Sequence, residues 1–211
     1  GVEGFQEWIN KNILTKKQIC VLDYGCSYFD LGIGLTDKFK CFDGFDIDVT
    51  AIAIAQERMR SKSNVSLYHD EESIPKSLYN IIFVSSVVQY FGEINNVITF
   101  LKVSRENLLK NGLGKIIITD LIPKNYNEYY DAIENLLLAF KNKLFIPMFV
   151  HILKAATQKF IMSDSELNLL RINPNTLKRI SIENGFSFQI IKNIGISDRR
   201  YSAILTAVQN R

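Results

Sequence analysis

The 211-residue sequence predicts an α/β fold: a largely parallel sheet covered by helices on both faces and ending in an antiparallel strand pair. Three observations carry this reading. Strand-like apolar runs alternate with stretches of helical periodicity, which is how strands joined by covering crossovers are written. The first two runs each close on an acid, at Ile19-Cys-Val-Leu-Asp23-Tyr-Gly25 and at Gly44-Phe-Asp46. The last two runs, 186–191 and 201–208, are joined by a loop too short for a crossover helix, so they pair antiparallel.

Along the chain, residues 4–14 read as a leading helix with Phe5, Trp8 and Ile9 on one face. Residues 18–22 form the first strand and 41–45 the second. A helix follows over 51–60, with Asp48 and Thr50 as cap candidates. Residues 65–68 make a short third strand; 80–85 make a fourth, apolar on both faces and so central. A helix over 94–109 ends in the turn Lys110-Asn-Gly-Leu-Gly114, and 115–119 is the fifth strand. An insertion over 123–164 then shows helical spacing of Tyr126, Tyr130, Ile133, Leu137 and Phe140; long insertions in compact domains serve as lids or binding elements. Asn173-Pro-Asn175 starts a last helix over 176–184, which Gly185 stops. The whole of 1–211 is expected to be a single domain carrying that insertion.

Composition narrows the function. An apolar content of 47% suits one domain with a full core. A formal charge of +3, with scattered Lys and Arg, offers no electrostatic track for a polynucleotide, so nucleic acid is not expected as a partner, although a modified base or tRNA stays open. Three cysteines without a Cys-x-x-Cys pair read as a reduced chain in which Cys20, Cys26 and Cys41 are small core or turn residues, with neither a disulfide framework nor a metal site. No signal-peptide pattern is seen, which makes a cytoplasmic location the expectation. The longest apolar run, 144–153, is about half the length needed to span a bilayer and contains Pro147 and His151, so no transmembrane segment is expected.

Gly25 gives the turn after the first strand no side chain in a ligand's way, and Asp46 at the end of the second strand is placed to accept both hydroxyls of a ribose. At these residues the chain resembles the class I S-adenosyl-L-methionine (SAM)-dependent methyltransferases, through Val21-Leu-Asp23-Tyr-Gly25-Cys-Ser27 and Gly44-Phe-Asp46. Ser27 stands where that family has its second glycine, so a looser loop is expected, completed by Asp30, Leu31 and Gly32. The resemblance implies a Rossmann-like fold with SAM as cofactor and S-adenosyl-L-homocysteine (SAH) as product. It also implies that Asp23 reaches the cofactor's amino group, directly or through water, although Asp23 also reads as a turn-stabilising acid with no ligand contact. Gly25, Cys26 and Ser27 then line the methionine portion, and Asp46 binds the ribose with Ile47 beside it. Asp70, after the third strand, faces the adenine amino group. Phe83-Val-Ser85-Ser86 resembles the family's fourth motif, with Asn80 where many members have Asp. Gln89 and Tyr90 then lean over the reacting centre or cap the next helix.

Two adjacent arginines, Arg199 and Arg200, lie in the loop between the last two strands and suit bidentate recognition of an anionic acceptor. The C-terminal half, from Asp120-Leu-Ile-Pro to Asn193-Ile-Gly195, is similar to bacterial methyltransferases associated with surface-polysaccharide and glycolipid assembly. Those proteins often carry His-Asn where this chain has Ile196-Ser197. The expected reaction is O-methylation of a small or sugar- or phosphate-linked acceptor in capsule or other surface-polysaccharide biosynthesis. Tyr126 is an acceptor-binding candidate, and His151 and Tyr90 are the catalytic candidates; an acceptor that is already anionic needs no base. The rival readings are an NAD(P)-dependent reductase and a non-catalytic partner subunit of the same fold, the latter suggested by Ser27 and Asn80 in place of the family's usual residues.

Overall fold

Strands β1 (Cys20–Tyr24), β2 (Cys41–Phe45), β3 (Leu67–Tyr68), β4 (Ile81–Ser85), β5 (Lys115–Leu121), β6 (Phe186–Ile191) and β7 (Tyr201–Ala207) form one sheet in the order β3-β2-β1-β4-β5-β7-β6. The computed structural model describes residues 7–9, 11–12, 16–110, 113–125, 169–195 and 197–208. The chain divides into two compact units, Gly1–Pro123 with Leu170–Arg211 and Lys124–Leu169. The sheet belongs to the first. Strands β1 to β5 run parallel, and β7 inserts antiparallel between β5 and β6, as the short 192–200 connection requires.

The pleat sends alternate residues into two cores. Leu22, Ile82, Val84, Ile116 and Ile118 pack beneath helices α3 (Ile94–Asn107) and α4 (Pro174–Glu183), which contribute Phe100, Leu101, Leu177 and Ile180. On the other face Val21, Phe83 and Ile117 meet Ile9 and Phe29, with Ile52, Ala55 and Met59 of α2 (Val49–Met59). Strand β4 is buried from Ile81 to Val84, in keeping with its central place. Asp48 caps α2 by accepting from the Thr50 and Ala51 N–H groups at 2.8 and 3.2 Å. Asn173 caps α4, where Pro174 fills the first turn without wasting a donor.

Several boundaries differ from the sequence reading. Strand β1 starts two residues later because Lys16–Gln18 closes a 3-10 turn. Strand β3 is reduced to Leu67–Tyr68, and β5 runs on to Leu121 because β7 continues to pair with it across an irregularity between Ile118 and Leu121. Of the leading helix, only residues 7–9 and 11–12 are described, all helical. Most of the 123–164 insertion lies outside the described residues.

The cysteine expectation is corrected. Cys20 and Cys41 are register partners at the starts of β1 and β2, with Cα atoms 4.6 Å apart, and they form a disulfide. Neighbouring strands bring register partners within disulfide reach whatever their distance in sequence, so no local motif announces such a pair. Cys26 is the free cysteine, and it is buried.

One polar network lies within the first core. The Tyr79 hydroxyl donates to Asp43 Oδ2 at 2.8 Å while the Ser66 N–H donates to Oδ1 at 2.8 Å, so a buried carboxylate in β2 ties down the approaches to both β3 and β4. Burial raises the Asp43 carboxyl, and the two donors pull it back. Tyr79→Phe leaves that carboxylate short of a donor in a dry site and is expected to cost about 2 kcal/mol in urea unfolding at pH 7. Unchanged stability would show that the network does not hold these elements.

Candidate functional site

The strand order reverses direction between β1 and β4, and open parallel sheets bind their ligands at the carboxyl edge of such a switch point. Backbone strain gathers at the same edge. Of the five non-glycine residues with positive φ among the described residues, Ser27, Phe29, Ser86 and Asp120 all lie at or just beyond the ends of β1, β4 and β5. Left-handed backbone persists in such residues only where the surroundings over-determine it, which marks this edge as the place to look for function.

The β1 end is shaped by Asp46. The Gly25 and Cys26 N–H groups donate to the Phe45 carbonyl at 2.7 and 2.9 Å, folding the turn onto β2. The Ser27 N–H then donates to Asp46 Oδ2 at 2.8 Å and the Asp48 N–H to Oδ1 at 3.0 Å. Ser27 takes φ 47°, the left-handed conformation a glycine adopts readily, so the motif keeps its shape without its second glycine. Gly25, at φ 80°, is needed for a further reason: a Cβ there would meet Val87 Cγ2 at 2.3 Å, so the space is filled by the β4 loop and is not open to a ligand. Asp30, Leu31 and Gly32 belong to the short helix α1 (Asp30–Ile33), in which Gly32 lies against the Phe29 ring.

Asp23 lies beneath this turn, 4% exposed. Burial, reinforced by the charge of Asp46, lifts its carboxyl from the ordinary 3.8 to about 7. Burial and the same two acids push the Cys26 thiol up, so Cys26 is a packing residue of the turn and no nucleophile at neutral pH. Ile47, 82% exposed, stands beside the pair with its side chain in solvent. Two acids that feel each other's charge, one of them desolvated, form an environment that favours a cation.

The β4 and β5 ends carry a second polar group. Thr119 Oγ1 donates to Ser85 Oγ at 3.0 Å across a register pair, and Ser86 Oγ donates to Asp120 Oδ2 at 2.8 Å. Asp120 is buried at φ 59° within the β5 irregularity, where its Oδ1 accepts from Asn193 Nδ2 at 2.9 Å. Gln89 is buried in the 3-10 turn Val88–Phe91, and its Oε1 accepts from Arg200 Nη1 at 3.1 Å; Tyr90 in the same turn is exposed. The Leu170 N–H donates to the Gln89 carbonyl at 2.8 Å, so the chain returning to the sheet is fastened to this turn.

The sequence-predicted residues thus fall into two groups at one edge. Asp23, Gly25, Cys26, Ser27, Asp46 and Ile47 gather around β1 and β2. Ser85, Ser86, Gln89, Tyr90 and Arg200 gather around β4, and Arg199 is exposed in the loop before β7. Asp70 caps its own 3-10 turn, accepting from the Glu72 N–H at 3.1 Å, while the neighbouring Glu71 accepts from the Tyr24 hydroxyl at 2.6 Å. His151 and Tyr126 lie outside the described residues. Asn80 stands at the start of β4, away from the site, where its Oδ1 accepts from the Cys20 N–H at 2.9 Å. Two residues were missed: Asp120, which ends an apolar strand just as Asp23 and Asp46 do, and Asn193, which no local pattern marks.

No family model and no curated protein matches this sequence. Solved structures do resemble it. Magnesium protoporphyrin IX methyltransferase from Synechocystis PCC 6803 with bound SAH superposes with a TM-score of 0.61 at 16% identity, over 99% of this chain and 82% of that one. With bound SAM the same enzyme gives a TM-score of 0.62 at 14% identity, over 99% and 78% of the two chains. A SAM-dependent methyltransferase from Methanosarcina mazei gives 0.62 at 15% identity, over 96% and 98%. These likenesses establish the Rossmann-like class I methyltransferase fold.

A carboxyl that titrates at about 7 when folded and near 3.8 when unfolded leaves the folded state holding more protons between those values. Stability therefore falls as pH rises from about 4 to 7 and stays lower above, by on the order of 4 kcal/mol for this group. Asp23→Asn is expected to be more stable than wild type at pH 8, with the difference shrinking towards pH 4 in pH-resolved thermal melts. A wild type that matches or exceeds the variant at pH 8 contradicts the buried-acid account.

Proposed function

We propose that this chain is a SAM-dependent methyltransferase acting on an oxygen of a small or sugar- or phosphate-linked acceptor. The observation that carries the proposal is the meeting of Asp23 and Asp46 at the point where the strand order reverses. SAM fits that donor set: it brings a sulfonium and an ammonium to two carboxylates and a ribose diol to the outer one. A nicotinamide cofactor would bring a pyrophosphate to the same turn, against two like charges. The absence of Gly-x-Gly-x-x-Gly and the antiparallel β7 also speak against a reductase. The SAM- and SAH-bound states of the Synechocystis enzyme support the same choice of cofactor.

In this reading Asp46 accepts from the ribose hydroxyls, Asp23 meets the ammonium, and the backbone of Gly25, Cys26 and Ser27 lines the methionine portion. Ile47 covers the adenine, Asp70 meets its amino group, and Ser85 and Ser86 complete the wall. When bound there, SAM would supply an electrophilic methyl group for transfer to the acceptor oxygen, leaving as SAH. The chain's own task is to hold that oxygen in line and to exclude water. Gln89, Tyr90, Tyr126, Arg199 and Arg200 are assigned to the acceptor, and His151 or Tyr90 to the proton of a neutral hydroxyl. A phosphate-type oxygen needs neither.

The similarity of the C-terminal half to surface-polysaccharide methyltransferases supports an acceptor from that chemistry, and the scattered charge supports a small molecule over nucleic acid. A cytoplasmic location belongs to the same reading, although the Cys20–Cys41 disulfide counts against a reducing compartment; among the described residues no helix is long and apolar enough to cross a membrane. A non-catalytic role loses its two supports, because Ser27 keeps the glycine-like backbone and Asn80 stands at the far edge of the sheet.

Asp46→Ala removes a charged acceptor of two hydroxyl hydrogen bonds and is expected to weaken SAH binding by about 2 to 3 kcal/mol, roughly 30- to 150-fold in Kd, with the circular dichroism spectrum unchanged. Calorimetric titration checks this. An unaltered Kd would remove Asp46 from the site, and tighter binding of NAD than of SAH by the wild type would replace the proposal with the reductase.

A further inference from the structure

The β6–β7 connection, which carries Arg199 and Arg200, is fastened to the sheet by a cluster of hydrogen bonds centred on Asn193. Asn193 Oδ1 accepts from the Asp120 N–H at 3.2 Å, the Gly195 N–H at 3.3 Å and the Ser202 hydroxyl at 2.6 Å. Its Nδ2 donates to Asp120 Oδ1 at 2.9 Å and to the Ser197 carbonyl at 2.6 Å. Both ends of the amide are engaged, and only this orientation satisfies the network, because a carboxylate and a carbonyl need donors while backbone N–H groups need an acceptor.

Asp120 closes the other half. Its second oxygen takes the Ser86 hydroxyl, so one carboxylate links the end of β4 to the loop before β7. Gly195 is pressed onto it: a Cβ there would come within 2.1 Å of both carboxylate oxygens. Beyond the clasp, the Arg199 N–H donates to Ser197 Oγ and the Arg200 N–H to the Ser197 carbonyl, each at 3.3 Å. The Ser197 carbonyl that Asn193 grips is therefore also the one that the Arg200 N–H reaches, the Arg199 N–H being held by the hydroxyl of the same residue, and the Arg200 side chain reaches Gln89 from there.

We infer that Asn193 and Asp120 are positioning residues for the acceptor side of the site, clasping the 192–200 loop so that Arg199 and Arg200 stand at the ends of β4 and β5. The inference rests on the reading above, in which those arginines receive an anionic, sugar-phosphate-like acceptor. Asp120 itself is no base: it is buried, and its two oxygens are taken by Ser86 and Asn193. Its left-handed backbone, which costs on the order of 1 to 3 kcal/mol in a non-glycine residue, is what turns the carboxylate out of the ladder towards the loop.

The test uses the full chain, SAH, and glucose 1-phosphate as the acceptor probe. SAH binding by the wild type reports on the methyltransferase reading by itself; if SAH does not bind, that reading fails and the acceptor role with it. With SAH bound, Asn193→Ala is expected to weaken glucose 1-phosphate binding at least tenfold and to speed amide exchange at 197–200 at least tenfold, with the SAH Kd within twofold of wild type. Gly195→Ala, which keeps both partners but drives a methyl group into the carboxylate, should reproduce this and covers the case in which Asn193→Ala does not fold. Asn193→Asp keeps the side-chain shape but sets a carboxylate oxygen against Asp120 Oδ1 and the Ser197 carbonyl, so it should lose both readouts as Asn193→Ala does, which a simple loss of packing would not produce. Arg199→Gln/Arg200→Gln should lose the probe without faster exchange. The inference is overturned if SAH binds but the wild-type complex takes no glucose 1-phosphate. It is equally overturned if Asn193→Ala leaves probe affinity and exchange unchanged, if SAH affinity falls in step with them, or if Asn193→Asp behaves as the wild type.

Discussion

Parallel strands that end at one edge leave backbone N–H groups with no further ladder partner, and in this chain side-chain acceptors take up several of them. Asp46 accepts from Ser27 and Asp48, Asp48 accepts from Thr50 and Ala51, and Asn193 accepts from Asp120 and Gly195. Everything proposed about function depends on this constraint. Asp46, which completes the backbone at the carboxyl edge, is also the acid assigned to the ribose in the proposed site, so one residue both shapes that edge and equips it.

The buried acids show how structural and functional carboxylates are told apart. Asp43 and Asp23 are both buried, in adjacent parallel strands, and burial raises both. Asp43 has the Tyr79 hydroxyl and the Ser66 N–H as donors, so its charge is matched within the fold. Asp23 has the like charge of Asp46 nearby, which worsens its position in the folded chain. A fold that keeps an acid in such surroundings gives up stability there, and a cationic ligand would return it. That contrast, together with the motif, is what supports the proposed cofactor site.

Much of this was legible in the sequence. The antiparallel β7 follows from a connection too short to cross over, and Asp23 and Asp46 follow from apolar runs that end in acids. The helix caps Asp48 and Asn173 were equally plain, because capping is a local transaction. What stayed hidden depends on partners brought together only by folding. Cys20 meets Cys41 through strand register, Asn193 meets Asp120 across the β5–β7 pairing, and Gly25 is a glycine because Val87 fills the adjoining space. Asn80 misled for the same reason: its departure from the family pattern suggested a damaged site, whereas the fold uses it to hold the Cys20 N–H at the opposite edge.

The central claim is that the carboxyl edge at the β1 and β2 ends is a cofactor site built on Asp23 and Asp46. A crystal structure of the full chain with SAH tests it most directly. The account predicts the ribose hydroxyls within hydrogen-bonding distance of the Asp46 carboxylate and the ammonium group on the Asp23 side of the turn. SAH seated away from both acids, with Asp46 still holding only the Ser27 and Asp48 N–H groups, would contradict it.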